Sequence, residues 1–515
     1  MEKSGGETMV AEVWSGMVQG IQGELVTIQA DISEGLPVFG LTGHLSAEVK
    51  EAKERVRTAL KNTGYHLPPR RVSVNLAPAD VKKSGTRYDL AIAVGILTAM
   101  GLVPGSSVKG IIFLGELALD GELAPLTGVL AILRAALAAG CTVCAVPLHN
   151  VEEASLLPEM TVLGFANLRE VVGYLNGKRE IPAKKKPAER GKRKESGSSW
   201  TDLSEVRGQQ MAKRALEIAV AGCHNLLLDG PPGSGKSMLA SCAPGIMPPM
   251  SREEMIDATI AYSVRGMLKE GMSLVETRPF RAPSPSVTMA GMFGGGAEPK
   301  PGEVTLAHHG VLFLDEFPEF KRELIEMFRL VLEEHRITQV RSGKAVTFPA
   351  DFIFIAAANP CPCGYYPDRR YCHCSLGQIQ RYQSRLSGPI LDRIDLFVRC
   401  DKISYEVMAG KPSGETSADV RERVRRVWEI QKERFLKSGT KFNGRMGTKE
   451  VERFCALDGD SRALLREVFD RLRLTGRSYT RILKVGRTIA DLAGSPDVRE
   501  EHLREALLFR RSENL

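Results

Sequence analysis

Eight consecutive residues, Gly230-Pro231-Pro232-Gly233-Ser234-Gly235-Lys236-Ser237, have the composition of a phosphate cradle. The glycines let a loop curl until its backbone N–H groups point inward at anionic oxygens. The lysine then reaches the outer phosphates and the serine hydroxyl ligates Mg2+. An apolar run, NLLLD, precedes the loop and reads as a strand, and KSMLA after it reads as a helix, which is the setting such a loop needs. The bland alternative is a glycine-rich turn with no ligand. Further along, the apolar run Val311 to Leu314 ends in Asp315 and Glu316. A buried strand ending there delivers one carboxylate to hold Mg2+ through water and a second to polarise an attacking water. The next apolar run, FIFIAAA, ends at Asn359, and SGPILDRID sets Arg393 after a short helix. An asparagine at a strand end is ordinarily a turn residue. In this order it also suits a polar sensor of the terminal phosphate. A lone arginine at position 393 would ordinarily be a surface ion-pair partner.

Directly after Asn359 come Cys361-x-Cys363 and Cys372-x-Cys374, four of the ten cysteines. They offer enough soft ligands for tetrahedral zinc, although C-x-C is tighter than the usual spacing. The intervening YYPDRRY has no core of its own, and a structural metal stabilises loops of that kind. Free thiols are the other reading, and both stay open. A redox centre would want low-pKa thiols beside a substrate site, for which nothing argues.

The elements that must position these groups come from a chain of 515 residues, too long for one core, so two to four domains are expected. The composition, 43% hydrophobic and 26% charged, is that of a globular protein, and the net charge of +8 permits a nucleic-acid partner without requiring one. MEKSGGETMV carries no apolar targeting core, and the longest apolar run, LAIAVGILTAMGLVPG, is too short and too interrupted for a membrane span. A cytoplasmic protein with reduced thiols and no membrane partner is expected, which disfavours a disulfide knot. The stretch 178–199, KREIPAKKKPAERGKRKESGSS, reads as a basic flexible linker, solvated or grazing phosphates. Before it, VTIQADI, RVSVNLA and KGIIFLG read as strands, and LALDGELA as a hairpin turning at Asp120-Gly121. SAEVKEAKERVRTALKNTG reads as an amphipathic helix with Val49, Ala52, Val56 and Leu60 on one face and Gly64 as its terminal cap. Residues 1–177 therefore form an α+β domain.

The phrases GPPGSGKS, PGEVTLAHHGVLFLDEFPEF, AAANPCPCG, SGPILDRIDL and SYTRILKVGRTIADLAG resemble the ComM/YifB family of AAA+ ATPases, related to the magnesium-chelatase subunit I, over essentially the whole chain. The resemblance implies a multidomain α/β protein. A P-loop core at 200–400 has a parallel sheet with helices on both faces, a helical lid follows at 401–515, and a Lon-protease-like α+β domain comes first. It implies ATP and Mg2+, held by residues 230–237 with Asp315, and a hexameric ring with sites between subunits. Catalytic roles fall to Glu316, to Asn359 as first sensor, to Arg393 as an arginine finger, and to Arg477 in the lid as second sensor, with Arg481 as runner-up. It also implies an insertion loop, fitted by VTMAGMFGGGAEPKPGE, whose composition looks ill-suited to a core. A pore hairpin is fitted by RITQVRSGKAVTFPADF, with Arg341 and Lys344 flanking a turn at Ser342-Gly343. Those two basic residues are candidate DNA contacts, or merely keep the tip soluble. In the Lon-like domain Arg87 stands where the nucleophilic serine should be, and no lysine occurs from Gly110 to Gly177 to act as base. The function implied is a helicase driving branch migration on forked, branched or single-stranded DNA, in recombination or natural transformation. The alternative is a chelatase-like motor that remodels a protein partner.

Overall fold

The structure, a computed structural model, describes residues 10–178, 200–268, 274–296, 298–341, 344–409, 414–471 and 474–510. The expected linker, apart from Lys178, and the turn Ser342-Gly343 lie outside the described residues. Packing divides the chain into two units, one of Met1–Arg193 with Ile256–Val275 and Ala297–Pro301, the other of Lys194–Met255, Glu276–Gly296 and Gly302–Leu515.

In the first unit seven strands form a mixed sheet in the order Phe39–Thr42, Arg71–Ala77, Gln22–Ser33, Ala11–Gln19, Ile111–Phe113, Val143–Pro147, Thr161–Phe165. Period-2 alternation sets the faces: Val72, Val74 and Leu76 are buried, while on the other face Arg71 is exposed and Ser73 and Asn75 are half-buried. Ser46 caps the helix Ala47–Asn62, which buries Val49, Ala52, Val56 and Leu60, and Gly64 follows in the left-handed region at φ +95°. The longest apolar run is the helix Asp89–Ala99, buried from Asp89 to Leu97. It is apolar on every side because it is a core helix, and no helix among the described residues is long and apolar enough to cross a membrane. The chain returns to this unit beyond residue 255. Ile260 is fully buried among the side chains of Ile132 and Val146, Arg134 pairs with Asp257 at 2.6 Å, and Ser263 accepts from the N–H of Gly128 at 2.9 Å.

The second unit holds a five-stranded, fully parallel sheet. Its spatial order is Phe280–Arg281, Val311–Leu314, Ile353–Ala358, Leu226–Asp229, Leu396–Arg399. Strands buried on both faces read as continuous apolar runs, and IFIAAA and VLFL are buried at every position. Helices Ser417–Arg434, Gly459–Arg471, Gly476–Leu492 and Glu500–Leu508 follow the last strand and share its hydrophobic core. The glycine-rich segment before Val311 departs from the expectation of a coreless loop. It contains the helix Met289–Phe293, capped by Thr288, with Met292 and Phe293 buried and Phe293 packed on Phe328 at 5.1 Å between ring centroids. The hairpin pairs Arg336–Arg341 with Lys344–Pro349, Arg341 opposite Lys344. Gln339 ties it to this same segment by donating to the carbonyls of Phe293 and Gly294.

Candidate nucleotide site

Three parallel strands end side by side, and each end carries one part of the site. Leu226–Asp229 runs into the phosphate loop, Val311–Leu314 into Asp315 and Glu316, and Ile353–Ala358 into Asn359. Ligands of open α/β sheets bind outside these carboxyl ends. The loop's backbone leaves no choice of residue at Gly230, where a Cβ would lie 2.2 Å from the Cys400 carbonyl oxygen. Gly233 and Gly235 take left-handed φ values of +75° and +86°, with open space around the missing Cβ. Gln209 donates to the carbonyls of Ser234 at 3.0 Å and Asp401 at 2.7 Å, locking the loop to the chain beyond the last strand. Sequence reading passed over Gln209. Its only signal is the GQQ ahead of an amphipathic helix, with Gln209 itself at φ +56°.

Lys236 is buried, and its ammonium donates to the carbonyls of Gly230 (2.6 Å) and Pro231 (2.9 Å) and to Oδ1 of Asn359 (3.2 Å). Burial pulls this ammonium below the usual lysine range, against the opposing pull of Cys400, Asp229, Asp315 and Glu316. The Ser237 hydroxyl donates to Asp315 Oδ2 at 2.6 Å. Glu316 is exposed and held in a left-handed conformation (φ +51°), its own N–H donating to Asp315 Oδ1 at 2.9 Å. A non-glycine residue in that region is strained, and such strain concentrates at working sites. Below these groups, burial pushes the Asp229 carboxyl up to about 6, despite Arg399 and Lys236.

The arginines lie elsewhere. Arg393 precedes the strand Leu396–Arg399, and its carbonyl accepts from the Asn225 side chain at 2.7 Å, at the amino end of the sheet. The strand Leu226–Asp229 separates that end from the loop by roughly 16 Å, at ~3.3 Å per residue, more than an arginine side chain spans. The Arg393 guanidinium is fixed by Glu333 and by the carbonyls of Arg329 and Pro389. Arg481 joins the same end, donating to the Ile394 carbonyl at 3.2 Å with Asp395 at 3.9 Å, while Arg477 is exposed in the first turn of that helix. The structure thus brings Lys236, Ser237, Asp315 and Asn359 together and leaves Arg393, Arg477 and Arg481 out of their own chain's site. The four cysteines also converge, just beyond Asn359. The side chains of Arg341 and Lys344 lie outside the described residues.

A family model described as magnesium chelatase, subunit ChlI, matches residues 202–408. Others, described as subunit ChlI of Mg-chelatase and as the ChlI C-terminal part, match 28–150 and 414–510. Over 504 residues, 97% of each chain, the sequence is 42% identical to competence protein ComM of Haemophilus influenzae. The chain belongs to the ComM/YifB family of magnesium-chelatase-like AAA+ ATPases. It is also similar to YifB of Salmonella typhimurium, 39% identical over 499 residues and 96% of each chain. The sequence is also 28% identical over 166 residues to Lon protease of Mycolicibacterium smegmatis, a match covering 31% of this chain and 21% of that one.

Membership of an AAA+ family implies a nucleotide with Mg2+, and the donor set fits both. Two hard oxygen donors, Ser237 and Asp315, are already in contact, and an ammonium stands beside a loop whose glycines keep side chains out of the space above it. In the Lon-like domain, burial lowers the Arg87 guanidinium below the usual arginine range. Two residues on, the fully buried Asp89 pairs with Arg55 at 2.8 Å.

Proposed function

We propose that this chain is an ATP-driven ring motor that acts on DNA, with each nucleotide site shared by two neighbouring subunits. The observation that carries the shared site is the separation of Arg393 from the loop of its own chain. An arginine finger there serves a second copy's phosphates, and Arg477 on the lid helix, with Arg481 as runner-up, serves the same neighbouring site as second sensor. Within one subunit the loop N–H groups and Lys236 bind the phosphates, while Ser237 and Asp315 would hold Mg2+, which would supply charge neutralisation at the phosphates. Glu316 accepts a proton from the water whose oxygen bonds to the γ-phosphorus, Asn359 orients that water or the γ-phosphate, and the bond to the ADP oxygen breaks to release phosphate and ADP.

DNA as the substrate rests on the ComM relative, named for competence, the state in which cells take up DNA. It also rests on a hairpin whose strands end in Arg341 and Lys344. Charges at a pore-lining tip meet phosphates and not bases, so affinity falls with salt and ignores sequence. Replacing Arg341 and Lys344 together with Ala is expected to weaken DNA-stimulated hydrolysis and strand displacement and to spare basal hydrolysis. Equal stimulation of the double variant and the parent would remove the hairpin from DNA contact.

The Lon-like domain is a binding or assembly module. With Arg87 at the nucleophile position and no lysine base downstream, casein-like substrates are expected to survive incubation with the protein and ATP. Cleavage that disappears on mutation of this domain would contradict that reading.

A further inference from the structure

The four cysteine thiols after Asn359 are the largest group of chemically active side chains that the motor reading leaves without work. We propose that Cys361, Cys363, Cys372 and Cys374 bind one structural Zn2+, and that this metal holds the sensor Asn359 and the phosphate loop in register. The second part rests on the nucleotide-site reading above.

The geometry is that of a ligand set. All four sulfurs lie within 4.8 Å of one another, with Cys361 Sγ 3.3 Å from Cys363 Sγ and 3.8 Å from Cys372 Sγ. A tetrahedron of ~2.3 Å Zn–S bonds has edges of about 3.8 Å. Disulfide partners sit at about 2.05 Å, and all four cysteines are free. The tight C-x-C spacing is accommodated because the chain turns between the two sulfurs, the Gly364 N–H donating to the Cys361 carbonyl at 2.9 Å with Gly364 at φ +84°. Binding releases the thiol protons to solvent and leaves a doubly anionic tetrathiolate. Groups that temper such a charge are in place: the Tyr366 N–H donates to Cys361 Sγ at 3.4 Å, and Arg369 donates to the Cys374 carbonyl at 3.0 Å.

The segment has little else to hold it. The apolar company of the thiols among the described residues is Ile379 and Tyr366. Yet it occupies a demanding position. Asn359 is separated from Cys361 by Pro360 alone, and Gln383 donates back to the Pro360 carbonyl at 3.2 Å, closing the loop on itself. On the other side Gly364 presses against the phosphate loop so closely that a Cβ there would lie 2.4 Å from Pro232 Cδ. Removing the metal releases an element that touches both the sensor strand and the loop.

The test uses the full chain, purified under reducing conditions without chelator. Elemental analysis is expected to find about one zinc per chain, and Co2+ exchanged into the site should give the visible bands of a tetrahedral tetrathiolate. Cys363→Ser, at the less buried of the first pair, is expected to lose the metal, to bind MgATP within about threefold of the parent, and to hydrolyse it at least about tenfold more slowly. Because a variant could fail to fold, zinc is also stripped from the parent with a mercurial and then returned, with loss and recovery of hydrolysis expected. Metal-free protein with four titratable thiols, or a disulfide, would overturn the site. Full hydrolysis by zinc-stripped protein would overturn its coupling to Asn359. Zinc content is read without ATP, so a failure of the motor reading leaves the metal site to be judged separately.

Discussion

Glu316→Gln is expected to bind MgATP as the parent does and to lose turnover by two to four decades, the usual worth of a positioned general base. The substitution keeps the shape of the side chain and leaves Lys236, Ser237 and Asp315 with their hydrogen bonds intact. What it removes is the carboxylate that takes a proton from water. The strained left-handed backbone at this residue keeps that carboxylate exposed at the strand end and away from Asp315, to which only its N–H is bonded. Nucleotide binding by fluorescence and steady-state phosphate release together read the split. A variant with normal turnover would move the base elsewhere.

Arg393→Ala is expected to cost three to five decades in turnover, the range for a finger that meets transition-state charge, again without loss of ATP binding. Lys236→Ala fails for a different reason, because it holds no nucleotide. Each variant supplies the half-site the other lacks, since the finger and the loop lie at opposite ends of one sheet. In rings assembled from equal amounts of both, about a quarter of the interfaces unite an intact loop with an intact finger, if assembly is random and head-to-tail. Mixed rings should recover activity near that fraction. Absence of recovery in rings shown to be mixed would argue against a shared site.

Much of the site was legible because its chemistry sits where apolar runs stop. Leu314 and Ala358 each end a strand buried by its neighbours, and the polar residue that follows is delivered to the same end of the sheet, where the strand ending at Asp229 runs into the phosphate loop. Local windows carry that information. They do not carry contacts made between distant segments. Met292 and Phe293 look like loop residues until Phe328 is there to pack against, and residues 256–275 look like part of the second unit until Ile260 is found buried among the side chains of the first. Gln209 was missed for the same reason, since its work is done on the carbonyls of Ser234 and Asp401. The lid arginines show the converse. A resemblance supplied their role, but only the docking of Arg481 on Ile394 reveals which end of the sheet they occupy.

The measurement that most directly tests the central claim is the steady-state ATPase rate with and without forked and four-way DNA, followed through a salt titration. A DNA-driven motor that grips phosphates predicts stimulation at low salt that fades as salt rises and does not depend on sequence. A rate unchanged by every DNA at low salt, and raised instead by a protein partner, would contradict the account and favour a chelatase-like remodeller.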